Sequence, residues 1–273
     1  MSDKIKIDLG SVQKTLLLPL WGRAVETKKT KPILTDTAAA EIINKIDFDF
    51  STITAKIRFV TQLAWIARSF HIDNTLKSFL AVHPDAAIVN IGCGLDTTYE
   101  RVNNGKLSWY DLDLPDVIEL RKIFIHETEN RKFITASLLE ESWISHIKNK
   151  ENVFFIAAGV LYYFDETQVK AFFQMLADRF SSSEIIFDAV TPQGLNAANK
   201  GVIKDSGMDE SAYLKWSIKN AKVIQSWDPR IQILDEYMLF KGFKKSLNFK
   251  EKYGTFLSDL FKIMFIVHLR IGS

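Results

Sequence analysis

Residues 87–96 read AIVNIGCGLD, a short apolar run that ends in two glycines separated by a single residue. Such a run predicts a buried strand of a parallel sheet, with a tight loop after it. Gly92 and Gly94 allow the backbone to turn sharply and a ligand to approach it without a Cβ in the way. Ligands of open α/β sheets bind beyond the carboxyl ends of the strands, so this loop, with Cys93 inside it, is the first candidate binding site.

The chain before and after this stretch shows two different patterns. Residues 1–84 carry apolar side chains at helical spacing, most clearly at 38–46 and 55–80, which predicts a helical N-terminal cap. Residues 85–190 alternate strands and helices and form the predicted cofactor-binding core. The runs that predict its strands lie at 87–91, 107–112, 132–135, 152–158 and 184–190. This alternation predicts a doubly wound, Rossmann-like α/β sheet that is mostly parallel.

The last third of the chain is less regular. Residues 191–243 predict an insertion or lid with a helix at 208–223, and residues 244–273 predict the C-terminal strands, one of them antiparallel. The runs that predict the last two strands lie at 240–250 and 262–270. Together the patterns predict a single domain of 273 residues, with a lid over the carboxyl edge of the sheet.

Composition excludes several classes of function. With 35 basic and 33 acidic side chains the net charge is +2, which argues against nucleic-acid binding driven by bulk charge. The single cysteine permits no internal disulfide, and the five histidines have no ligand-like spacing, so we expect no metal site. The first ten residues are charged, and the apolar run at 261–271 is too short to span a bilayer. We therefore expect a cytoplasmic protein with no membrane partner.

The spacing of acidic residues indicates which nucleotide the loop binds. Asp111 and Asp113 follow Gly92 by 19 and 21 residues, a distance that suits hydrogen bonds to the hydroxyls of an adenosine ribose. The dinucleotide fingerprint also needs a third glycine, and Thr97 stands in its place. S-adenosylmethionine has no pyrophosphate and does not need that glycine. The loop therefore favours S-adenosylmethionine, with an NAD-dependent oxidoreductase or a non-catalytic S-adenosylmethionine-binding protein as alternatives.

Five motifs in a fixed order carry a family resemblance. They are TLLLPLWGRA at 15–24, ILTD at 33–36, VNIGCGLDT at 89–97, WYDLDLPDV at 109–117 and FIAAGVLYYF at 155–164. In these motifs the chain resembles the leucine carboxyl methyltransferase family, and more closely its bacterial branch of polyketide (tetracenomycin-type) O-methyltransferases. The resemblance implies a class I methyltransferase that uses S-adenosylmethionine. It also implies a small-molecule carboxylate or hydroxyl, polyketide-like, as the methyl acceptor.

The resemblance also implies roles for individual residues. It places Arg68 at the methionine carboxylate, with Arg58 as a weaker substitute, and Asp113 at the ribose, with Asp111 as a second candidate. It places Ser137 and Leu138 beside the adenine, and adds Arg23 and Ala158 as cofactor contacts. The eukaryotic carboxyl methyltransferases have a glutamate where this chain has Ala158, which weakens any transfer of their protein substrate.

The acceptor oxygen decides whether a general base is needed. A carboxylate, with a pKa of about 4, is ionised at neutral pH, whereas a phenol, with a pKa of about 10, would benefit from a base. Candidate bases are His71, Asp188 and Tyr162. Candidate cations for a carboxylate are Arg230, Lys200 and Lys204. The sequence does not choose among them, and it names no catalytic residue and no oligomeric state.

Overall fold

The computed structural model describes residues 4–6, 11–55, 57–200, 213–242 and 247–272. The strands are β1 Ala87–Ile91, β2 Ser108–Asp113, β3 Arg131–Thr135, β4 Val153–Ala157, β5 Ser183–Val190, β6 Ile231–Met238 and β7 Met264–Ile271. They form one sheet in the order β3-β2-β1-β4-β5-β7-β6. The first five strands pair in parallel, and β7 runs antiparallel to both of its neighbours. The predicted fold class, a mostly parallel sheet with an antiparallel C-terminal strand, is confirmed.

Helices surround this sheet. They are α1 Ser11–Thr27, α2 Thr37–Lys45, α3 Ser51–Thr54, α4 Phe59–Val82, α5 Thr98–Val102, α6 Pro115–Phe124, α7 Glu166–Arg179, α8 Pro192–Ala198, α9 Lys222–Gln225 and α10 Phe249–Leu260. Two short 3₁₀ turns lie at Ser142–His146 and Leu161–Tyr163. No helix in the described ranges combines the length and the apolar character that a membrane span requires.

The sheet is covered on both faces, as a doubly wound fold requires. Successive side chains of a strand point to opposite faces. In β1, Val89 packs into an apolar cluster with Phe173 of α7, whereas Ile88 packs into a second cluster with Leu76 of α4. All five residues of β1 are buried, which explains why its sequence reads as a continuous apolar run.

The predicted elements of the core agree with the structure to within about two residues, and the helices predicted at 38–46 and 55–80 are α2 and α4. Two predictions in the last third of the chain are wrong. Residues 208–212 lie outside the described ranges, but residues 213–218 are extended rather than helical. Leu214, Trp216 and Ile218 are buried in alternation, a period of two that fits extended chain and not a helix.

The strand predicted at 240–250 is also wrong in its described part: residues 243–246 lie outside the described ranges, residues 240–242 form a turn, and residues 249 and 250 belong to α10. The strand that precedes β7 is β6, and α10 begins within the predicted run. Asn248 caps this helix, because its side chain accepts from the Glu251 N–H while the Glu251 side chain accepts from the Asn248 N–H. That reciprocal pair is a recognised start signal for a helix, and it outweighs the strand preference of the neighbouring residues. The strand predicted at 262–270 is β7, as expected.

Candidate active site at the carboxyl edge of the sheet

The loop after β1 has the backbone geometry that its glycines predicted. Gly92 and Gly94 have positive φ angles of 59° and 45°. A Cβ on Gly92 would lie 2.5 Å from Cγ2 of Val160, and a Cβ on Gly94 would lie 3.0 Å from Cδ2 of Leu16. Both positions therefore require glycine for conformation and for close packing.

The loop lies at the point in the sheet where the strand order reverses, between β1 and β4. β1 pairs with β4, and the chain after each of these strands passes to a different face of the sheet. Such a point forms a crevice at the carboxyl edge. Six of the predicted cofactor residues line one cavity in this crevice, namely Arg23, Arg68, Gly92, Cys93, Gly94 and Ala158. The structure therefore brings together residues that lie up to 135 positions apart in the chain (158 − 23).

Arg68 lies at the centre of this crevice and is only 9% exposed. Its Nη1 donates to Oδ2 of Asp188 at 2.9 Å and to the hydroxyl of Tyr162 at 3.3 Å. Burial opposes its charge, but Asp188 and Tyr162 together outweigh burial and raise the pKa of Arg68 above its ordinary value. Its Nε and Nη2 make no hydrogen bond to any described residue, so two donor groups remain for a ligand.

Both carboxylate oxygens of Asp188 accept hydrogen bonds from within the site. Its Oδ2 accepts from Arg68, and its Oδ1 accepts from the backbone N–H of Gly159 at 2.6 Å. The side chain is fully buried. Asp188, at the end of β5, therefore joins α4 to the loop after β4 and fixes the position of Arg68.

The two acidic residues of β2 have different environments. Asp113 is half-buried at the strand end, where its carboxylate accepts from the backbone N–H of Gly94 and of Leu114, each at 2.8 Å. Burial raises the pKa of Asp113, and the two N–H groups act against this. Asp113 thus lies against the loop, and its contact with a ribose stays a prediction.

Asp111 is not available for the ribose, which corrects the sequence-based expectation. It is fully buried inside the sheet. Arg121 and Arg131 pair with its two oxygens at 3.0 and 2.7 Å. Asn90 and the indole of Trp109 also donate to it. Spacing alone could not separate Asp111 from Asp113, because only the sheet decides which of two nearby side chains faces the crevice.

Arg23 supports the loop from α1. Its Nε donates to Oδ2 of Asp36 at 2.8 Å, and its Nη2 lies 3.4 Å from the carbonyl of Leu95. Asp36 is fully buried at the start of α2 and also accepts from Arg101 at 2.7 Å. Burial raises the pKa of Asp36, but the charges of Arg23 and Arg101 outweigh it and lower that pKa below its usual value.

Thr97 belongs to the same network. Its hydroxyl donates to Asp36 at 2.6 Å, and the side chain is fully buried. A glycine here would remove this bond, which explains structurally why the chain departs from the dinucleotide fingerprint at this position. The sequence analysis missed Asp36 as a site residue, although the ILTD motif that contains it was one of the five matching stretches.

A second, larger cavity of about 500 Å³ adjoins the first. Ligand pockets commonly measure about 300–1,000 Å³. Its wall is mainly apolar and comes from α4, α8, α10 and the ends of β5 and β6. Four residues line both cavities, namely Trp65, Arg68, Tyr162 and Tyr163. Because the two cavities share this wall, the second cavity is the candidate acceptor site. Trp65 was not predicted as a site residue, because no motif or spacing in the sequence marks it.

Neither tyrosine of the shared wall is a base at neutral pH. Burial raises the pKa of Tyr162 well above its ordinary value and also raises that of Tyr163. His71 lies behind the wall, where its Nε2 donates to the carbonyl of Leu239 at 2.9 Å. The described part of the larger cavity's wall contains no histidine and no carboxylate. Of the three candidate bases, His71 and Asp188 do not line this cavity, and Tyr162 lines it but keeps its proton at neutral pH.

The candidate cations are distributed differently from the expectation. Arg230 precedes β6 at the opposite, amino edge of the sheet, where it pairs with Asp228 and Asp178. It cannot reach the crevice, so this prediction is wrong. Lys200 is exposed and lines neither cavity, and Lys204 lies outside the described residues. Arg58, exposed at the larger cavity, has no ion pair with a described residue.

Ser137 and Leu138 follow β3, two strands away from β1. The hydroxyl of Ser137 accepts from the Leu139 N–H at 3.3 Å, and Leu138 is buried in the core. Neither residue lines the cavity formed by the loop. Their contact with an adenine stays a prediction. The described residues contain no group of three or more potential metal ligands.

The chain was compared with known proteins. The profile of the leucine carboxyl methyltransferase family matches residues 17–177, more than half of the chain. The chain belongs to this family. A tetracenomycin polyketide synthesis O-methyltransferase, TcmP, from Streptomyces glaucescens is 31% identical over 85% of each chain. An S-adenosylmethionine-dependent methyltransferase, dpfgK, from Gibberella zeae is 27% identical over 68% of this chain and 69% of its own.

Solved structures confirm the fold. A DUF574 family protein from Streptomyces avermitilis superposes with a TM-score of 0.63 at 10% identity, covering 94% of this chain and 97% of its own. An S-adenosylmethionine-dependent methyltransferase from Anabaena variabilis gives a TM-score of 0.51 at 12% identity, covering 99% of both chains. The protein is thus an S-adenosylmethionine-dependent methyltransferase of class I fold. Family membership decides against an NAD-dependent oxidoreductase and against a binding protein without activity.

Proposed function

We propose that the protein transfers a methyl group from S-adenosylmethionine to a carboxylate of a mostly apolar, polyketide-like small molecule. The observation that carries this proposal is the pair of adjoining cavities, one bounded by the glycine loop and one by an apolar wall, with Arg68 and Tyr162 in common. We place the cofactor in the first cavity and the acceptor in the second.

The residues of the first cavity suit the cofactor. Arg68 has two donor groups without described partners, which fits a methionine carboxylate. The loop presents backbone without side chains at Gly92 and Gly94, and Asp113 lies beside it for the ribose hydroxyls. We keep Cys93, Ala158 and Arg23 as residues of this cavity, and Ser137 and Leu138 as adenine neighbours. When bound, S-adenosylmethionine supplies an electrophilic methyl group on a positively charged sulfur.

The chemistry of the second cavity favours a carboxylate over a neutral hydroxyl. A carboxylate, with a pKa of about 4, enters in its reactive form and requires no proton acceptor. Arg58 and Arg68 supply positive charge at this cavity, which favours an anionic ligand. The apolar wall excludes water and orients the ligand, and such positioning is a large contribution to catalysis of a displacement reaction.

The related enzymes support the size and class of the acceptor. The relative that shares 31% of its residues is named for polyketide synthesis, and polyketides are of a size that a cavity of about 500 Å³ accommodates. We further propose a single domain divided into cap (1–84), core (85–190), lid (191–243) and C-terminal strands (244–273). We also propose a cytoplasmic location, where S-adenosylmethionine is available, with no nucleic-acid partner.

The test combines binding with product chemistry. Calorimetry should detect S-adenosylhomocysteine binding, and methyl-labelled cofactor should label a panel of aromatic polycyclic carboxylic acids. A methyl ester loses its label as methanol in mild alkali, whereas a methyl ether keeps it. Alkali-stable label on phenols alone would overturn the carboxylate assignment. An absence of S-adenosylhomocysteine binding would overturn the placement of the cofactor.

A further inference from the structure

Arg121 of α6 is fully buried beneath the cofactor loop. Its Nη1 donates to the carbonyl of Gly94 at 2.7 Å and lies 3.4 Å from the carbonyl of Cys93. Its Nη2 donates to the carbonyl of Asp96 at 2.9 Å. One guanidinium thus contacts three carbonyls of four consecutive residues, which a planar group with five donors in a fixed fork can do.

These contacts fix which side of the loop faces inward. The C=O and N–H of a trans peptide point in opposite directions. Because the carbonyl of Gly94 points at Arg121, the N–H of Leu95 in the same peptide unit points away from it, and Leu95 lines the cofactor cavity. The guanidinium therefore holds the inner side of the loop while the outer side stays available for a ligand.

The positive charge of Arg121 is paired with the buried carboxylate of Asp111. Oδ1 of Asp111 lies 3.0 Å from Nη2 of Arg121, and Oδ2 of the same carboxylate pairs with Nε of Arg131. Burial opposes the charge of Arg121, but the nearby anionic groups, Asp111 foremost and then Asp96 and Glu100, together outweigh burial and raise the pKa of Arg121 above its ordinary value. Asp111 thus acts on the site through Arg121, although it touches no cavity.

We propose that Arg121 is a positioning residue that holds the inner side of residues 93–96 and preorganises the loop for the cofactor. The proposal rests on the placement of the cofactor at that loop, argued above. A loop without this support must be ordered when the ligand binds, and the cost of ordering reduces affinity. The loss is expected in cofactor binding and not in acceptor binding.

Arg131 offers a matched control in the same chain. It is 2% exposed and pairs with the same Asp111 carboxylate, with Glu100 at 2.6 Å and with the ring of Tyr99 at 4.6 Å. None of these contacts involves residues 92–96. Arg121→Lys and Arg131→Lys each keep one buried positive charge and lose the fork geometry, so a general loss of stability should affect both.

The experiment compares both variants with the unmodified protein. We expect Arg121→Lys to weaken S-adenosylhomocysteine binding in calorimetry by roughly tenfold or more, since an ammonium cannot make all the bonds of the guanidinium. Arg131→Lys should change it by less than about twofold. Amide hydrogen exchange should accelerate at residues 93–97 in the first variant alone. The KM for the acceptor should be the same in both.

The outcomes separate this proposal from the assignment of function. Equal effects of the two variants on S-adenosylhomocysteine binding, or unchanged binding in Arg121→Lys, would overturn the role of Arg121. A failure of the unmodified protein to bind would instead overturn the cofactor site. If Arg121→Lys does not fold, the comparison uses Arg121→Gln and Arg131→Gln. Each of these variants leaves the Asp111 carboxylate paired with the other arginine, so the same comparison applies.

Discussion

The two cavities that meet at Arg68 are built in contrasting ways. The loop on the cofactor side is supported by ion pairs, such as Arg23 with Asp36 and Arg121 with Asp111. The acceptor side is bounded mainly by apolar side chains from three helices, with few polar groups. A wall of paired ions and backbone bonds has one low-energy arrangement, whereas an apolar wall selects its ligand by shape and size.

This difference suits the two ligands. A cofactor that is the same in every turnover is bound by directional bonds to fixed groups. An acceptor that varies between related enzymes is bound by a wall whose side chains can change without breaking buried ion pairs. Arg68 belongs to both sides, since it lines both cavities and is held by Asp188. Changes at Arg68 should therefore affect both sides, whereas changes at residues that line only one cavity should affect one.

The largest effect is expected for Arg68→Ala. The substitution leaves the fully buried Asp188 without its charged partner, and breaking a buried pair in this way costs about 3–5 kcal/mol of stability. It also removes the donors proposed for the cofactor carboxylate. Urea unfolding should show the destabilisation, and S-adenosylhomocysteine affinity and acceptor KM should both worsen by more than about tenfold.

Arg58→Ala is the control for this variant. Arg58 lines only the acceptor cavity, is exposed, and pairs with no described residue. It should leave stability and cofactor affinity near those of the unmodified protein and raise only the acceptor KM. If Arg68→Ala were to affect only one ligand, Arg68 would not act on both sides.

An intermediate effect, confined to the cofactor side, is expected for Gly92→Ala. The residue has a positive φ, which costs a residue with a Cβ about 1–2 kcal/mol, and the new methyl would collide with Val160. We expect S-adenosylhomocysteine affinity to fall by roughly tenfold or more in calorimetry, with acceptor KM little changed.

Gly105→Ala separates backbone strain from the cofactor site. Gly105 also has a positive φ, of 76°, but a Cβ there would meet no atom within 4 Å, and the residue lies outside both cavities. It should lower stability by about 1 kcal/mol without affecting binding. A similar loss of cofactor affinity in both variants would show that strain alone, and not the loop, controls binding.

The contrast between the two sides also explains what the sequence could predict. β1 and its glycine loop are adjacent in the chain, so their pattern alone predicted a strand, a tight turn and a ligand. Asp113 was predicted from its spacing and from the family motif, and Arg68 from the family motif, and their contacts with a ligand stay predictions. The acceptor wall was not predicted, because it comes from α4, α8 and α10, which are distant in sequence.

The errors have physical causes of the same kind. Asp111 and Asp113 have equally suitable spacings and point to the same face of β2, so only their positions along the strand and the two arginines beside Asp111 separate them. Arg230 was predicted near the acceptor because it lies within the predicted lid at 191–243, but the direction of β6 carries it to the far edge of the sheet. Spacing predicts neighbours along the chain, whereas charge pairing across elements depends on the completed sheet.

The smallest effect is expected at His71, behind the acceptor wall. Its Nε2 donates to the carbonyl of Leu239, which lines the acceptor cavity. Burial lowers the pKa of His71, and the positive charge of Lys241 lowers it further, against the bond to Leu239 and the charge of Asp235. Because the folded-state pKa of His71 lies below the ordinary 6.5, the contribution of His71 to the free energy of unfolding is fully present above about pH 6.5. This contribution is lost as the pH falls through the folded-state pKa.

His71→Gln keeps a donor for the Leu239 carbonyl but does not titrate. Between about pH 7.5 and 5.5 the unmodified protein should lose more stability than the variant, with a difference of at most about 1.4 kcal/mol per pH unit for one group. Urea unfolding at both pH values measures it, and the other histidines cancel because both proteins contain them. Asp36 does not change the free energy of unfolding between these two pH values. Its pKa is lowered, so its contribution to stability is lost only below its ordinary pKa of 3.8. If the free energy of unfolding depends on pH in the same way in both proteins, His71 is not the titrating group. If the two proteins differ in this dependence while their cofactor affinity is the same, pH as well as mutation separates the two sides.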